Sequence, residues 1–448
     1  MFESSYLNKV YDELLIKSKN EPEFLQAVEE FLKSIDLIIQ DYPDIEKYSI
    51  IERIIEPERV IMFRVPWVDD QNEIKVNRGF RVQFNSAIGP YKGGIRFDKS
   101  VTLSIMKFLA FEQMFKNSLT GLPMGGAKGG SDFSPIGKTD NEIMRFCQSF
   151  MSELYRHIGA DLDVPAGDFG VGAREIGYMF GYYKKLKNEF TGAFTGKGLS
   201  FGGSLVRKEA TGYGVCYFAE EALKTMKNDS LKGKRVIVTG SGNVGTYTAI
   251  KAVELGAKVI AMSDISGYIY DENGIDVNYV RDIKEKQKKN LDSYPIAYPL
   301  VKFVPNYKEV WTIKADIIFP CATQNELDIE DAKKLVKNGT IMVCEGANMP
   351  TTIAAIDYLI EHNILFAPGK AANAGGVATS GLEMSQNSIR LNWTATEVDN
   401  KLHSIMKNIF ETCYNTAKKV GKEGNLVIGA NIAGFLKIYE AMVAEGVI

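Results

Sequence analysis

Lys234-Arg235-Val236-Ile237-Val238-Thr239-Gly240-Ser241-Gly242-Asn243-Val244-Gly245 is the stretch from which the rest of the chain can be read. Arg235 to Thr239 is a short run rich in β-branched residues, as in a strand buried on both faces. Three glycines follow at G-x-G-x-x-G spacing. Residues 246–255 read as helix and stop at Gly256, and 258–263 form a second apolar run that ends on Asp264. Strand, glycine turn, helix, strand and acid in that order make a βαβ opening with the dinucleotide fingerprint. The first glycine makes the tight turn, the second admits a pyrophosphate, and the third lets helix and strand pack. The helix N-terminus then points its N–H groups at the phosphates. With 41 glycines in the chain, a bare G-x-G-x-x-G occurs easily by chance. Between a strand and a helix, with an acid 19 positions past Gly245, it is specific. Gly240, Ser241, Gly242, Asn243, Val244, Gly245, Ser263 and Asp264 are therefore the candidate cofactor residues.

Downstream the pattern repeats. Strand-like runs at 316–319, 340–344 and 365–367 precede Pro320-Cys321-Ala322-Thr323, Glu345-Gly346-Ala347-Asn348 and Pro368-Gly369-Lys370. Loops just past strand C-termini are where open α/β sheets bind ligands, and Asn348, Asn373 and Ser380 lie on such loops or just beyond. A single asparagine or serine there usually caps a turn; their common placement favours a site. Residues 394–419 form a long amphipathic pattern suited to packing, and a last helix is expected at 428–444, returning to the first domain.

Upstream the organisation differs. Residues 4–40 read as helix. Strands are expected at 60–67 and at 74–85 around Asp69-Asp70-Gln71-Asn72. In the second, Ile74, Val76, Phe80, Val82 and Phe84 alternate with Lys75, Asn77, Arg81, Gln83 and Asn85, as in a sheet with one polar face. Arg78 interrupts the apolar set beside Gly79. Helix is expected at 102–119, where Gln113 and Lys116 share a face, and again through 144–155. Between them lies Leu122-Pro123-Met124-Gly125-Gly126-Ala127-Lys128-Gly129-Gly130-Ser131, which reads as a glycine loop built for a ligand. Lys92 sits in Pro90-Tyr91-Lys92-Gly93-Gly94, and Asp168 in a Pro/Gly-rich loop at 161–172. A further glycine-rich segment at 192–203 approaches the domain boundary. The fold class is thus α/β with two domains. Residues 1–200, with 425–448 returning, make a mixed-sheet α/β substrate and oligomerisation domain. Residues 201–424 make a Rossmann-like, doubly wound dinucleotide-binding domain.

Composition narrows the function classes. The 448 residues suffice for two or three domains. A net charge of −3, with both signs spread throughout, leaves no electrostatic footprint for nucleic acid or an anionic membrane. No apolar run approaches the roughly 18 residues of a transmembrane helix, and the first twenty residues do not resemble a signal peptide. Five scattered cysteines and three histidines suggest neither a disulfide framework nor a metal site. Reduced thiols in a cytoplasmic protein are the simple reading.

A nicotinamide cofactor brings hydride transfer, and the protein must supply orientation, charge matching and proton handling. Lys92 and Lys116 are natural partners for two carboxylates of one substrate. Lys128, flanked by glycines, is the candidate for a lysine whose charged form is disfavoured by neighbouring ammonium groups and a desolvated cleft. It could then activate a water, with Asp168 shuttling protons to and from a substrate amine. A random lysine is usually a solvated surface charge; the shared glycine context of these outweighs that expectation.

The chain resembles the hexameric glutamate dehydrogenases of the Glu/Leu/Phe/Val dehydrogenase superfamily over nearly its whole length. The resemblance is carried by Arg81-Val82-Gln83-Phe84-Asn85-Ser86 through Gly94, residues 122–130, Pro165-Ala166-Gly167-Asp168, Glu209-Ala210-Thr211-Gly212-Tyr213-Gly214, Gly346-Ala347-Asn348 and residues 370–386. It implies interconversion of L-glutamate with 2-oxoglutarate and ammonia. By motif, Lys92 and Ser380 would hold the γ-carboxylate, and Gln113 and Lys116 the α-carboxylate. Lys128 would activate water and Asp168 transfer protons. Arg207, Thr211, Asn243, Asn348 and Asn373 would line the cofactor side. Relatives acting on leucine or phenylalanine have apolar residues in place of Lys92 and Ser380, so both polar groups favour glutamate. The resemblance also implies a cleft between the domains and a homohexamer built as a dimer of trimers.

The fingerprint rule reads Asp264 as a ribose hydroxyl acceptor, hence NAD. Ser263-Asp264-Ile265-Ser266-Gly267 instead resembles the NADP-dependent branch, which is the reading taken here. Three positions depart from the family pattern: Gly245 where alanine is usual, Ile136 where some NADP enzymes carry lysine, and Lys208 where proline is common. Two other functions fit the residues less well. A dehydrogenase of another L-amino acid would lack Lys92 and Ser380, and a non-catalytic nucleotide-binding sensor would be expected to lack Lys128 or Asp168.

Overall fold

The computed structural model describes residues 2–448 and divides the chain into two compact units. The first comprises the chain up to Leu205, Thr379–Ala395 and Asn431–Ile448; the second comprises Val206–Ala378 and Thr396–Ala430. The boundaries read from sequence at 200/201 and 424/425 therefore fall at 205/206 and 430/431, and the Ser380 segment joins the first unit.

In the first unit, β1 (Arg59–Val68), β2 (Ile74–Asn85), β3 (Tyr91–Phe97), β4 (Gly126–Ser131) and β5 (Asp163–Gly167) form one sheet in the order β1-β2-β4-β3-β5. β2 runs antiparallel to β1 and β4, while β3 is parallel to β4 and β5. Phe24, Phe31, Phe84, Phe111, Phe115 and Phe435 pack ring against ring, with Phe31 and Phe115 stacked at 4.7 Å. A second cluster joins Trp67, Phe97, Phe133, Phe146 and Phe150, drawing on the helices Asp140–Leu154 and Ala173–Lys187.

Four sequence expectations are corrected here. The N-terminal helix is two helices, Ser5–Lys17 and Pro22–Ile35, because Pro22 cannot continue a helix but suits the first turn of a new one. Of the glycine loop read at 122–131, Gly126–Ser131 form the central strand β4, buried throughout. A Cβ on Gly126 would stand 2.4 Å from Met114 of the Leu103–Leu119 helix, and one on Gly130 would stand 2.6 Å from the Arg96 carbonyl. The glycines let neighbouring elements close onto the strand; none from Gly125 to Gly130 has a positive φ. The loop at 161–172 contains strand β5. The polar face of β2 is solvated only at its start: Lys75 and Asn77 are partly exposed, whereas Arg81, Gln83 and Asn85 are all buried.

That burial is made possible by an ion pair. Arg81 donates Nε to Asp163 Oδ2 at 2.8 Å, pairs through Nη2 with Oδ1, and donates Nη1 to the Gly93 carbonyl at 3.2 Å. Gln83 Nε2 adds a bond to Asp163 Oδ2 at 3.0 Å. Both charged side chains are 0% exposed. Removing one partner strands the other charge, so Asp163→Asn is expected to destabilise the first unit by about 3–5 kcal/mol, read as a lowered urea midpoint.

In the second unit, β6 (Arg235–Thr239), β7 (Lys258–Asp264), β8 (Gly267–Tyr270), β9 (Lys302–Val304), β10 (Ile317–Pro320), β11 (Met342–Cys344) and β12 (Leu365–Ala367) are ordered β12-β11-β10-β6-β7-β8-β9. The five strands from β12 to β7 are parallel, and β8 and β9 extend the edge antiparallel. The glycine turn thus lies after the central strand β6. The antiparallel pair was not legible in the sequence, because its strands are only four and three residues long. The final helix, Leu426–Glu445, is long and apolar enough to cross a membrane by length and composition. Half of it is buried within the protein: Phe435 and Ile438 are fully covered, and the Gly434 carbonyl accepts from Ser118 Oγ at 2.9 Å.

Candidate functional site

Strand β3 presents Lys92, Gly94 and Arg96 at period two, and neighbouring strands bring Lys128 and Asp168 to the same place. Lys128 lies within β4, and Asp168 follows the last residue of β5. Their side chains meet at 3.0 Å, Lys128 Nζ to Asp168 Oδ2. Gly94 makes room for the meeting: a Cβ there would stand 2.8 Å from Asp168 Cβ and 3.4 Å from Lys128 Nζ. Arg96 Nε also donates to Asp168 Oδ2, at 2.8 Å. Sequence reasoning missed Arg96; the only available signal was its even spacing from Lys92 along an unrecognised strand.

The electrostatics follow from this packing. Burial lowers the pKa of Lys128, and the Arg96 and Arg81 charges lower it further, against the opposing pull of Asp168. Burial raises that of Asp168, but Lys128 and Arg96 outweigh it and hold the carboxyl at about 2. Asp168 is thus an ionised acceptor beside a lysine whose proton is loosened.

Lys92 is buried, with Nζ donating to the Val164 carbonyl and to Thr195 Oγ1, each at 2.9 Å. Gln113 and Lys116 lie on the Leu103–Leu119 helix, both half-buried. Gln113 Nε2 bonds Asn117 Oδ1 at 2.7 Å, and Asn117 in turn donates to the Lys92 carbonyl at 3.0 Å. Ser380 is buried on the helix Gly375–Ile389, within the first unit as are the lysines.

The remaining candidates fall in the second unit. The helix Asn243–Glu254 starts at the glycine turn, three residues earlier than its periodicity suggested. Gly240 takes φ +75° and donates its N–H to Ser263 Oγ at 3.2 Å. A Cβ on Gly245 would overlap the Gly240 carbonyl at 1.8 Å, so the alanine usual in the family could not enter without a shift of the turn. At Gly242 a Cβ would meet no protein atom within 4 Å. Ser241 Oγ is buried without a protein partner. An open backbone position, an unpaired hydroxyl and a helix N-terminus together suit a pyrophosphate. Gly242→Ala is therefore expected to fold with unchanged thermal stability while weakening dinucleotide binding at least tenfold, measured by titration calorimetry.

Asn373 Nδ2 donates to Asn348 Oδ1 at 2.9 Å and to the carbonyls of Gly346 and Ala347, and its Oδ1 is buried without a partner. Beside them is Glu345, which sequence reasoning passed over. It accepts the N–H groups of Gly369 at 2.7 Å and Thr351 at 3.2 Å, and burial pushes its carboxyl up to about 7. Thr211 and Arg207 flank Gly376, where a Cβ would stand 2.5 Å from Thr211 Oγ1 and 3.6 Å from Arg207 Nη1. Asp264 stands at the end of β7 as expected, but its carboxylate is fully engaged. Oδ1 accepts from Ser266 N and Oγ at 2.8 and 2.6 Å, and Oδ2 from Lys284 Nζ and Leu291 N at 2.8 and 2.9 Å.

Known proteins resemble this chain along nearly its whole length. The family described as Glutamate/Leucine/Phenylalanine/Valine dehydrogenase matches residues 202–446, and its dimerisation domain matches residues 57–185. The chain is 57% identical to the NAD-specific glutamate dehydrogenase of Bacteroides fragilis, covering 99% of this chain and 100% of that one. It is also 57% identical to the NADP-specific enzyme of Haemophilus influenzae, covering 95% of each. The structure of Plasmodium falciparum glutamate dehydrogenase superposes with a TM-score of 0.96 at 51% identity, over 99% of this chain and 95% of that one. By sequence along nearly its whole length and by fold in both units, this chain belongs to the Glu/Leu/Phe/Val dehydrogenase family.

Proposed function

We propose that this chain is an NAD(P)-dependent glutamate dehydrogenase, interconverting L-glutamate with 2-oxoglutarate and ammonia. The observation that carries the chemistry is the Lys128–Asp168 pair, its lysine buried and its carboxylate partly exposed, with Lys92 buried on the adjoining strand. The relatives' shared activity, at 55–57% identity, supplies the substrate. Lys92 and Ser380 bind the γ-carboxylate, and Gln113 and Lys116 the α-carboxylate. A buried carboxylate left unpaired would be costly, so this end of the site selects for a diacid. A bound nicotinamide would supply the hydride acceptor or donor for the substrate α-carbon. Asp168 takes a proton from the substrate amine, and neutral Lys128 removes one from the water that attacks the imino carbon. Arg207, Thr211, Asn348 and Asn373 hold the nicotinamide side, and Gly240 to Gly245 the pyrophosphate. The dinucleotide-binding and substrate-binding roles are assigned to the second and first units respectively.

NADP is the preferred cofactor in this proposal. A free aspartate at the end of β7 would accept the ribose hydroxyls and repel a 2′-phosphate. Asp264 has no acceptor position left, and Lys284 places an ammonium 2.8 Å from it. Lys286, Lys288 and Lys289 follow in sequence. The active form proposed is a homohexamer. Supporting it are the matched dimerisation domain, the hetero-hexameric glutamate dehydrogenase of Thermus thermophilus among the similar structures, and the exposed apolar side chains of Met62, Ile74 and Val76 on the β1–β2 ribbon. Five free, buried thiols suit the reducing cytoplasm.

Initial rates with L-glutamate, run separately with NAD and NADP and with L-leucine as control, test the reading. A rate with glutamate alone, higher with NADP, is expected, and Lys284→Gln should lower the NADP:NAD ratio at least tenfold. An equal rate with leucine would overturn the substrate, and a ratio unmoved by Lys284→Gln would overturn the cofactor assignment.

A further inference from the structure

The segment 192–203 carries a lysine that the reaction does not use. Lys197 is buried, and its ammonium is saturated: Nζ donates to Glu383 Oε1 at 2.8 Å, to Asn387 Oδ1 at 2.7 Å and to the Phe194 carbonyl. Glu383 binds the same segment in return, accepting the Gly196 N–H at 2.9 Å on Oε2 and the Lys197 N–H at 3.4 Å on Oε1. Asn387 closes a third tie, Nδ2 to the Gly202 carbonyl at 2.7 Å. The charged side chains are 1% and 0% exposed. Burial lowers the pKa of Lys197, and Glu383 opposes that shift.

A buried ion pair is a poor source of stability, since desolvation offsets most of its attraction. What it does supply is geometry, and here it spans two substrate contacts. On one side, Thr195 is two residues from Lys197. Its N–H bonds the Pro165 carbonyl at 3.0 Å, and its Oγ1 accepts from Lys92 Nζ. On the other, Glu383 lies one helical turn after Ser380, and Asn387 one turn further, so the three share a face of the Gly375–Ile389 helix.

We propose that Lys197 and Glu383 are positioning residues for the carboxylate-binding end of the site. Their pairing fastens the 192–203 segment to the Ser380 helix, so that Thr195 aims the Lys92 ammonium at the place where the substrate's distal carboxylate sits. This rests on the assignment of Lys92 and Ser380 to that carboxylate. The consequence is that the pair sets selectivity for a diacid without touching substrate.

The test compares L-glutamate with L-norvaline, which has the same five-carbon chain with a methyl group in place of the distal carboxylate. In Glu383→Gln the ratio of kcat/KM for glutamate over norvaline is expected to fall at least tenfold, through a raised KM for glutamate, with norvaline turnover changed less than about twofold. Lys197→Gln combined with Glu383→Gln should recover part of the ratio, because two amides can still tie the segment to the helix. An equal loss for both substrates, or an unmoved ratio, would assign the pair a purely structural role. Should Glu383→Gln fail to fold, Thr195→Val keeps the ion pair and shape while removing the acceptor; it should lower the same ratio, and no change overturns the proposal. The unmodified protein separates the two readings. Absence of any glutamate preference there overturns the Lys92 assignment and this proposal with it. A preference that survives Glu383→Gln overturns the proposal alone.

Discussion

Lys128→Met is expected to lower kcat with L-glutamate by about 10³–10⁴-fold while leaving dinucleotide affinity within about twofold, measured by steady-state rates and cofactor titration. Methionine fills nearly the same volume within buried strand β4, so the loss reads out the amine rather than packing. The amine lies 3.0 Å from Asp168 Oδ2, in the space that Gly94 leaves open, and Arg96 Nε donates to the same oxygen. Burial and two arginines favour the neutral amine; Asp168 favours the ammonium. The folded pKa lies below the ordinary lysine value of about 10.4. A group that must be deprotonated to act loses activity as pH falls through its pKa. The rate should therefore rise with pH along a limb below that ordinary value, and Lys128→Arg should abolish the limb together with turnover, because guanidinium does not deprotonate. A Lys128→Met enzyme retaining more than a tenth of the original kcat would remove Lys128 from the proton-transfer role.

Lys92→Met is expected to act differently, raising the KM for L-glutamate by about 10²–10³-fold with L-norvaline turnover little changed. A charge-assisted hydrogen bond contributes about 1.5–3 kcal/mol, and a buried carboxylate left without its cation loses more. Lys92 is 1% exposed and held by Val164 and Thr195, so neither water nor a neighbour can replace its ammonium. Equal losses with both substrates would place Lys92 in support of the fold rather than at the distal carboxylate.

The two lysines were found in sequence for a reason that the structure revises. Glycines around Lys92 and Lys128 suggested loops, because glycine weakens strands and leaves no alternating pattern. Both lysines instead sit on adjacent central strands, β3 and β4, and the glycines admit close neighbours: Met114 against Gly126, the Ala127 carbonyl against Gly93, Asp168 against Gly94. The close backbone approach read from these glycines is real, and what it admits is the protein's own neighbouring elements. Arg81 gives the opposite case. Period-two alternation placed it on a polar face and no more, whereas Asp163, far along the chain, takes it fully into the interior.

Local sequence determined the βαβ opening, the strand runs of the parallel sheet, the long helices and the residue types of the site, since each depends on periodicity or on glycine chemistry within a few positions. Tertiary structure alone decided which charges meet. Arg96 reaches Asp168, Lys197 reaches Glu383, and Lys284 reaches Asp264, across separations of 72, 186 and 20 residues. Coulombic and hydrogen-bonding energies fall off over a few ångströms in space and carry no period along the chain, so pairings of this kind leave no local pattern to read. At Asp264 the sequence placed the acid at the end of the right strand, and the fold decided that Ser266, Lys284 and the Leu291 N–H bond its oxygens.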